Sequence, residues 1–110
     1  MPAYLIIEAR ITDPKRFGDY ARQTPAVVAL YGGRYVVMGG EQQSLEGDHA
    51  GSRTVVSVWP DRAAVLAFWH SPEYAAVKTL REGAGQFRVL LADGAATESL
   101  DQTNSAGTTP

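Results

Sequence analysis

The sequence predicts an α+β domain in which a four-stranded antiparallel sheet carries its helices on one face. Three observations lead there. Four short runs have strand-like patterning, two stretches between them have helical spacing, and the order is β-α-β-β-α-β. Each helical stretch opens on a capping residue and closes on glycine or at a new cap. The 110 residues suit one hydrophobic core rather than two.

Ala3 to Ile11 alternates, with Leu5, Ile7, Ala9 and Ile11 on one side and Tyr4, Ile6, Glu8 and Arg10 on the other, as a half-buried strand does. Asp13 followed by Pro14 reads as an N-cap and first helical position. Phe17, Tyr20, Ala21, Thr24, Val28 and Tyr31 then recur at helical spacing. Pro25 lacks an N–H and crowds the Ala21 carbonyl, which predicts a kink or a restart capped by Thr24. Gly32-Gly33 supplies the left-handed stop. Arg34 to Met38 is a second strand, and Gly39-Gly40 reads as a bulge from which Glu41 to Glu46 continues as an exposed arm. Gly47 to Ser52 is a loop. Arg53 to Trp59 is the third strand, stopped by Pro60. Asp61 caps a short helix with Ala64, Val65, Phe68 and Trp69 on its apolar face. Ser71-Pro72 starts another through Tyr74, Val77, Lys78 and Arg81, ended by Gly83. Gln86 to Ala92 is the fourth strand.

This order is the ferredoxin-like split βαβ arrangement. Residues 1–94 form that domain, and residues 95–110, rich in Ser, Thr, Asn and Gly, read as a polar tail without enough apolar surface to order itself. Glu98 and Asp101 in the tail account for the net charge of −2. Thr54–Trp59 and Phe87–Ala92 are apolar on both faces, yet two helical layers cover only one face of a sheet. A second copy packed sheet to sheet is the simplest cover, so a homodimer is expected.

Composition excludes several functions. Without cysteine there are no disulfides, thiolate nucleophiles or cysteine-ligated metals. The charge balance lacks the basic excess of a nucleic-acid binder. No apolar run reaches the roughly 20 residues of a membrane span. The N-terminus has no basic region followed by an apolar one, so a cytoplasmic location is expected.

Several strings, in order, resemble the family called domain of unknown function 1330, within the dimeric α/β-barrel superfamily. They are Tyr4-Leu5-Ile6, Thr12-Asp13-Pro14, Tyr20, Tyr31-Gly32-Gly33-Arg34-Tyr35, Gly39-Gly40-Glu41, Leu45-Glu46-Gly47, Arg53, Ser71-Pro72-Glu73-Tyr74 and Leu80-Arg81-Glu82-Gly83. The resemblance implies a chain that dimerises through its sheet, with a pocket between sheet and helices in each subunit. The wider superfamily includes cofactor-independent quinol monooxygenases, lactone isomerases, polyketide cyclases and haem-binding enzymes. No string here matches the site of any one of them, so none of their catalytic residues is carried over.

The candidate catalytic residues are His70, Arg34 and Tyr20. His70 would be a general base, because an imidazole titrates near neutrality; the alternative is a helix C-terminal His favoured by the helix dipole. Arg34 and Arg53 begin their strands, where a guanidinium would either hold a carboxylate or enolate oxygen in the pocket or pair with Glu8, Glu41 or Glu46. Tyr20, Trp69 and Tyr74 would line an aromatic pocket with Phe17, Tyr35, Trp59 and Phe68, unless these rings are ordinary core. Arg81 would cover the pocket rim or make a local pair, and Glu41 joins Trp69, Tyr74, Arg53 and Arg81 as a candidate substrate contact. His49, in a Gly-flanked loop, reads as solvent-exposed. Two His at unsuitable spacing give no metal site, and no cofactor is expected. The reading is a cofactor-independent enzyme of isomerase, cyclase or monooxygenase type, acting by proton transfer on an aromatic or polyketide-like molecule. The alternatives are a non-catalytic small-ligand-binding or interaction module, and a structural dimer whose pocket is filled by its own side chains.

Overall fold

A computed structural model describes residues 1–95 of the chain. The chain runs through β1 (Ala3–Ile11), α1 (Pro14–Leu30), β2 (Arg34–Met38), β3 (Ser52–Trp59), α2 (Arg62–Trp69), α3 (Pro72–Lys78), a 3-10 turn (Thr79–Arg81) and β4 (Gly85–Asp93). The strands form one sheet in the order β2-β3-β1-β4. All three pairings are antiparallel. This is the ferredoxin-like α+β architecture expected from the sequence. From residue 96 onward the predicted tail lies outside the described residues. Among those described, no helix is long and apolar enough to cross a membrane.

The helix ends are built as their sequences require. Asp13, Asp61 and Ser71 each accept a hydrogen bond from the backbone N–H three residues on, which satisfies one of the orphan donors of a first turn. Gly32 closes α1 at φ 93°, in the left-handed region. Gly33 is required for a different reason: a Cβ there would stand 2.6 Å from the Trp59 ring. The glycine thus lets β2 begin directly against the largest core side chain.

Two local expectations are corrected. Pro25 does not restart the helix, since α1 is continuous from Pro14 to Leu30. Thr24 is no cap; its Oγ1 donates back to the Tyr20 carbonyl at 2.6 Å. Ala21, whose carbonyl Pro25 leaves without a helical donor, is solvent-exposed, so water can serve it. The bulge also lies elsewhere. Pairing of β2 with β3 shifts between Tyr35 and Val37, and the strand ends at Met38. Glu41 to Glu46 is loop rather than strand. Gln42 alone imitates a strand there: its side-chain carbonyl accepts from the Thr54 N–H at 3.1 Å and its amide donates to the Ser52 carbonyl at 2.9 Å.

The core sits between sheet and helices. Ala3, Leu5 and Ala9 of β1 and Trp59 of β3 meet Tyr20 and Val28 of α1, Val65 and Phe68 of α2, and Tyr74 and Val77 of α3. The Tyr31 hydroxyl donates to Glu73 Oε1 at 2.7 Å and ties the end of α1 to α3. The opposite face of the sheet is bare. The register places Val37, Val56, Ile6 and Leu90 in one row across all four strands, and Leu90 is 61% exposed. Glu8 and Arg88 flank this row, paired at 3.1 Å.

Candidate functional site

A cavity of about 140 Å³ lies between the helix side of the sheet and α1. Its floor follows strand parity. Leu5, Ile7, Ala9 and Ile11 of β1, with Val55 and Ser57 of β3 and Phe87 of β4, project from the covered face. Its wall is Phe17, Tyr20, Ala21, Thr24 and Val28 of α1, and Phe68 and Tyr74 close the far side. Tyr35 adds to the lining from β2, and Met38, Gly39 and Arg53 surround the end nearest the β2–β3 loop.

The polar groups of this cavity are hydroxyls and one guanidinium; no carboxylate or imidazole lines it among the described residues. The Tyr20 and Tyr74 hydroxyls are hydrogen-bonded to each other at 2.8 Å and buried. Burial, then the adjacent Tyr20, push the Tyr74 phenol well above its usual range, against an opposing pull from the nearby Arg81. Burial likewise pushes Tyr35 up to about 12, with Tyr20 adding to it. These phenols therefore stay protonated at neutral pH and act as hydrogen-bond donors. The Ser57 hydroxyl accepts from Trp59 Nε1 at 2.8 Å, which fixes the indole.

Tyr35 yields a prediction. Its folded pKa is raised, so its contribution to stability is complete below the unfolded value near 10 and is lost as pH rises toward 12. Alkaline denaturation should show this loss in the wild type, and Tyr35→Phe should diminish it. An unchanged alkaline profile in the variant would contradict the assignment.

The sequence-predicted residues divide into three groups. Tyr20, Tyr74 and Arg53 line the cavity. Arg53 donates to the Gly39 carbonyl at 3.5 Å, and Gly39 at φ 65° leaves room for that guanidinium. Arg81 and Trp69 lie one layer behind. The Arg81 guanidinium sits 4.3 Å over the Phe87 ring and 5.5 Å from the Tyr20 ring centre, while Trp69 packs at a tilt against Tyr74 and is covered by Lys78. His70, Arg34 and Glu41 are outside. His70 is exposed as the C-cap of α2, which leaves the cavity without it as a base. Arg34 pairs in register with Val58 and belongs to the bare face, so it cannot share an oxyanion with Tyr20 inside one protomer. Glu41 lies in the exposed β2–β3 loop, beside an outer groove with Val36, Val37 and Leu45.

The alternative expected for Arg34 and Arg53, pairing with Glu8, Glu41 or Glu46, is also absent among the described residues; Glu8 pairs with Arg88 and lies 3.8 Å from His49. Phe87 and Ser57 were not among the expected pocket residues. Their signal was parity: both sit in phase with inward-facing neighbours, and Ser57 is a polar residue at a covered position of an apolar strand.

The fold and cavity together define a ferredoxin-like α+β protein with an apolar pocket, dotted with hydroxyls, between its sheet and helices. The chain belongs to the family Domain of unknown function (DUF1330), whose model matches residues 2–95. No curated protein matches it. Among solved structures it is similar to a protein of unknown function from Rhodopseudomonas palustris, at 18% identity and TM-score 0.68 over 86% of this chain and 83% of that one. It is also similar to SnoaB, a cofactor-independent oxygenase from Streptomyces nogalater, at 17% identity and TM-score 0.66 over 87% of this chain and 95% of that one. A dimeric ferredoxin-like protein of unknown function from Jannaschia sp. CCS1 matches at 10% identity and TM-score 0.61, over 86% of this chain and all of that one. At these identities the likeness is one of fold.

Proposed function

We propose that the chain works as a homodimer whose cavity receives an aromatic small molecule and promotes proton-transfer chemistry on it without a cofactor. The observation that carries this is the cavity itself: aromatic walls, an apolar floor and buried hydroxyl donors held at fixed positions. The similar fold of an oxygenase described as cofactor-independent supports the choice of chemistry. In this reading an acidic phenol or enol enters the cavity and loses its proton to water at the open end. The hydroxyl donors then hold the resulting oxyanion, and the activated ring isomerises, cyclises or reacts with dioxygen. Tyr20 thus holds the oxyanion that Arg34 was expected to hold, and solvent takes the role of His70.

A second reading is a small-ligand-binding module. The absence of a carboxylate or imidazole among the lining residues favours it, since most enzymatic proton transfers use such a group. Incubation with a panel of substituted phenols and hydroquinones in air separates the two. The proposal expects oxygen uptake or a mass change in the product, and a loss of about a hundredfold or more in rate for Tyr20→Phe. Tight binding with the ligand recovered unchanged would leave only the binding module.

A further inference from the structure

Arg81 is the buried charge that the fold does not explain. The residue is 8% exposed, on the 3-10 turn after α3. Its Nε is buried without a hydrogen-bond partner, and no ion pair involves it among the described residues. Its guanidinium rests instead on the faces of Phe87 and Tyr20, two rings that also wall the cavity. A guanidinium whose Nε is buried without a partner, and which has no carboxylate beside it among the described residues, is costly to keep, and replacing a buried charge by an apolar side chain is often neutral or stabilising. A charge held this way is positioned for a counter-ion that arrives from outside.

The surroundings specify that counter-ion. Beyond Arg81 come the Tyr74 and Tyr20 hydroxyls, 2.8 Å apart. A guanidinium can only donate, so the Tyr74 oxygen is the acceptor towards Arg81 and keeps its own proton; of the two directions open to the hydroxyl pair, donation from Tyr74 to Tyr20 leaves the Tyr20 proton for a ligand in the cavity. The chain of donors ends where a ligand oxygen would stand, and a low local dielectric strengthens each link. The size is also telling. The cavity of about 140 Å³ is close to the roughly 150 Å³ that accommodates a benzene ring.

We propose that the cavity binds a single aromatic ring bearing one oxyanion, held at the Tyr20–Tyr74 hydroxyl pair against the buried charge of Arg81. This rests on the cavity being the aromatic-ligand site proposed above, and it adds the ligand's charge and ring size. Tyr20 touches the ligand, and Arg81 is a positioning residue that acts through the hydroxyl pair.

Benzoate and benzamide have nearly the same shape and differ in charge, so their affinities, measured by calorimetry, test the inference. The wild type is expected to prefer benzoate by about tenfold to a hundredfold. Arg81→Met should abolish that preference while the ligand-free variant melts no lower than the wild type, and Arg81→Lys should restore part of it. Tyr20→Phe should weaken benzoate more than benzamide, a reading that does not depend on the Arg81 variants folding. As a spectroscopic arm, the bound ionisation of 4-nitrophenol should move to lower pH in the wild type and not in Arg81→Met. Benzoate held without nitrophenolate assigns a carboxylate ligand, and the reverse assigns a phenolate. Equal binding of benzoate and benzamide together with an unmoved nitrophenol ionisation, or an anion preference that survives in Arg81→Met, overturns the inference and leaves the aromatic-ligand reading in place. Binding of no ring at all overturns both.

Discussion

Replacement of Trp59 by alanine is expected to destabilise the chain by about 3–5 kcal/mol, a large share of what a domain of this size possesses. Trp59 is 2% exposed and ends β3 beneath the start of β2. Its ring packs 4.9 Å from Phe68 and fills the space that Gly33 leaves open. Removing it leaves a void flanked by a glycine and a tilted aromatic, neither of which can move in to fill it. It also strips the Ser57 hydroxyl of its donor at the edge of the cavity. Chemical denaturation at neutral pH should show the midpoint fall, while Trp59→Phe should recover part of the loss. A fall below about 1 kcal/mol would mean that the neighbourhood collapses far more readily than its packing suggests.

Placing a charge on the bare sheet face should have the second large effect, on assembly. Val37, Val56, Ile6 and Leu90 form an apolar row that no element among the described residues covers. Leu90→Asp on β4 places a carboxylate in that row. Two-fold symmetry places a second one in the partner, so a dimer would bury both. The dissociation constant should rise by at least about a hundredfold, or about 3 kcal/mol. Sedimentation at micromolar concentration should show the wild type at twice the 11.8 kDa of one chain and Leu90→Asp at that mass, with unchanged far-ultraviolet dichroism. A monomeric wild type, or an unaffected variant, would remove the homodimer.

Much of the fold was legible because its punctuation is local. Asp13-Pro14, Gly32-Gly33, Asp61, Ser71-Pro72 and Gly83 state where elements begin and end through capping and φ, which need no tertiary information. Pro25 was misleading because its meaning is not local: whether a proline breaks a helix depends on where the orphaned Ala21 carbonyl faces and on how α1 packs. The site was less legible for the same reason. Arg34 and Arg53 both open strands, yet one joins the bare face and the other the cavity. Only the register of the assembled sheet separates them, and in β2 that register carries a shift at Val36. The helical runs did identify Tyr20 and Tyr74. They could not show that the hydroxyls meet, because the two residues lie on different helices. Arg81 stood out only as part of the Leu80-Arg81-Glu82-Gly83 string and as a candidate for the pocket rim; nothing in its spacing marked it as buried. Its importance lies in having no carboxylate beside it among the described residues, and a missing neighbour leaves no trace in spacing.

The Gln42 amide has a consequence for how this fold can diverge. Beyond Met38 the edge of β3 is engaged by the Gly39 N–H and by this one side chain, rather than by a continued ladder. Insertions and deletions on either side of Gln42 would leave the register of the sheet untouched. The same loop leads away from Gly39 and Arg53 at the mouth of the cavity. Selection can therefore re-cut the entrance, and with it the set of molecules admitted, without rebuilding the sheet that forms the floor.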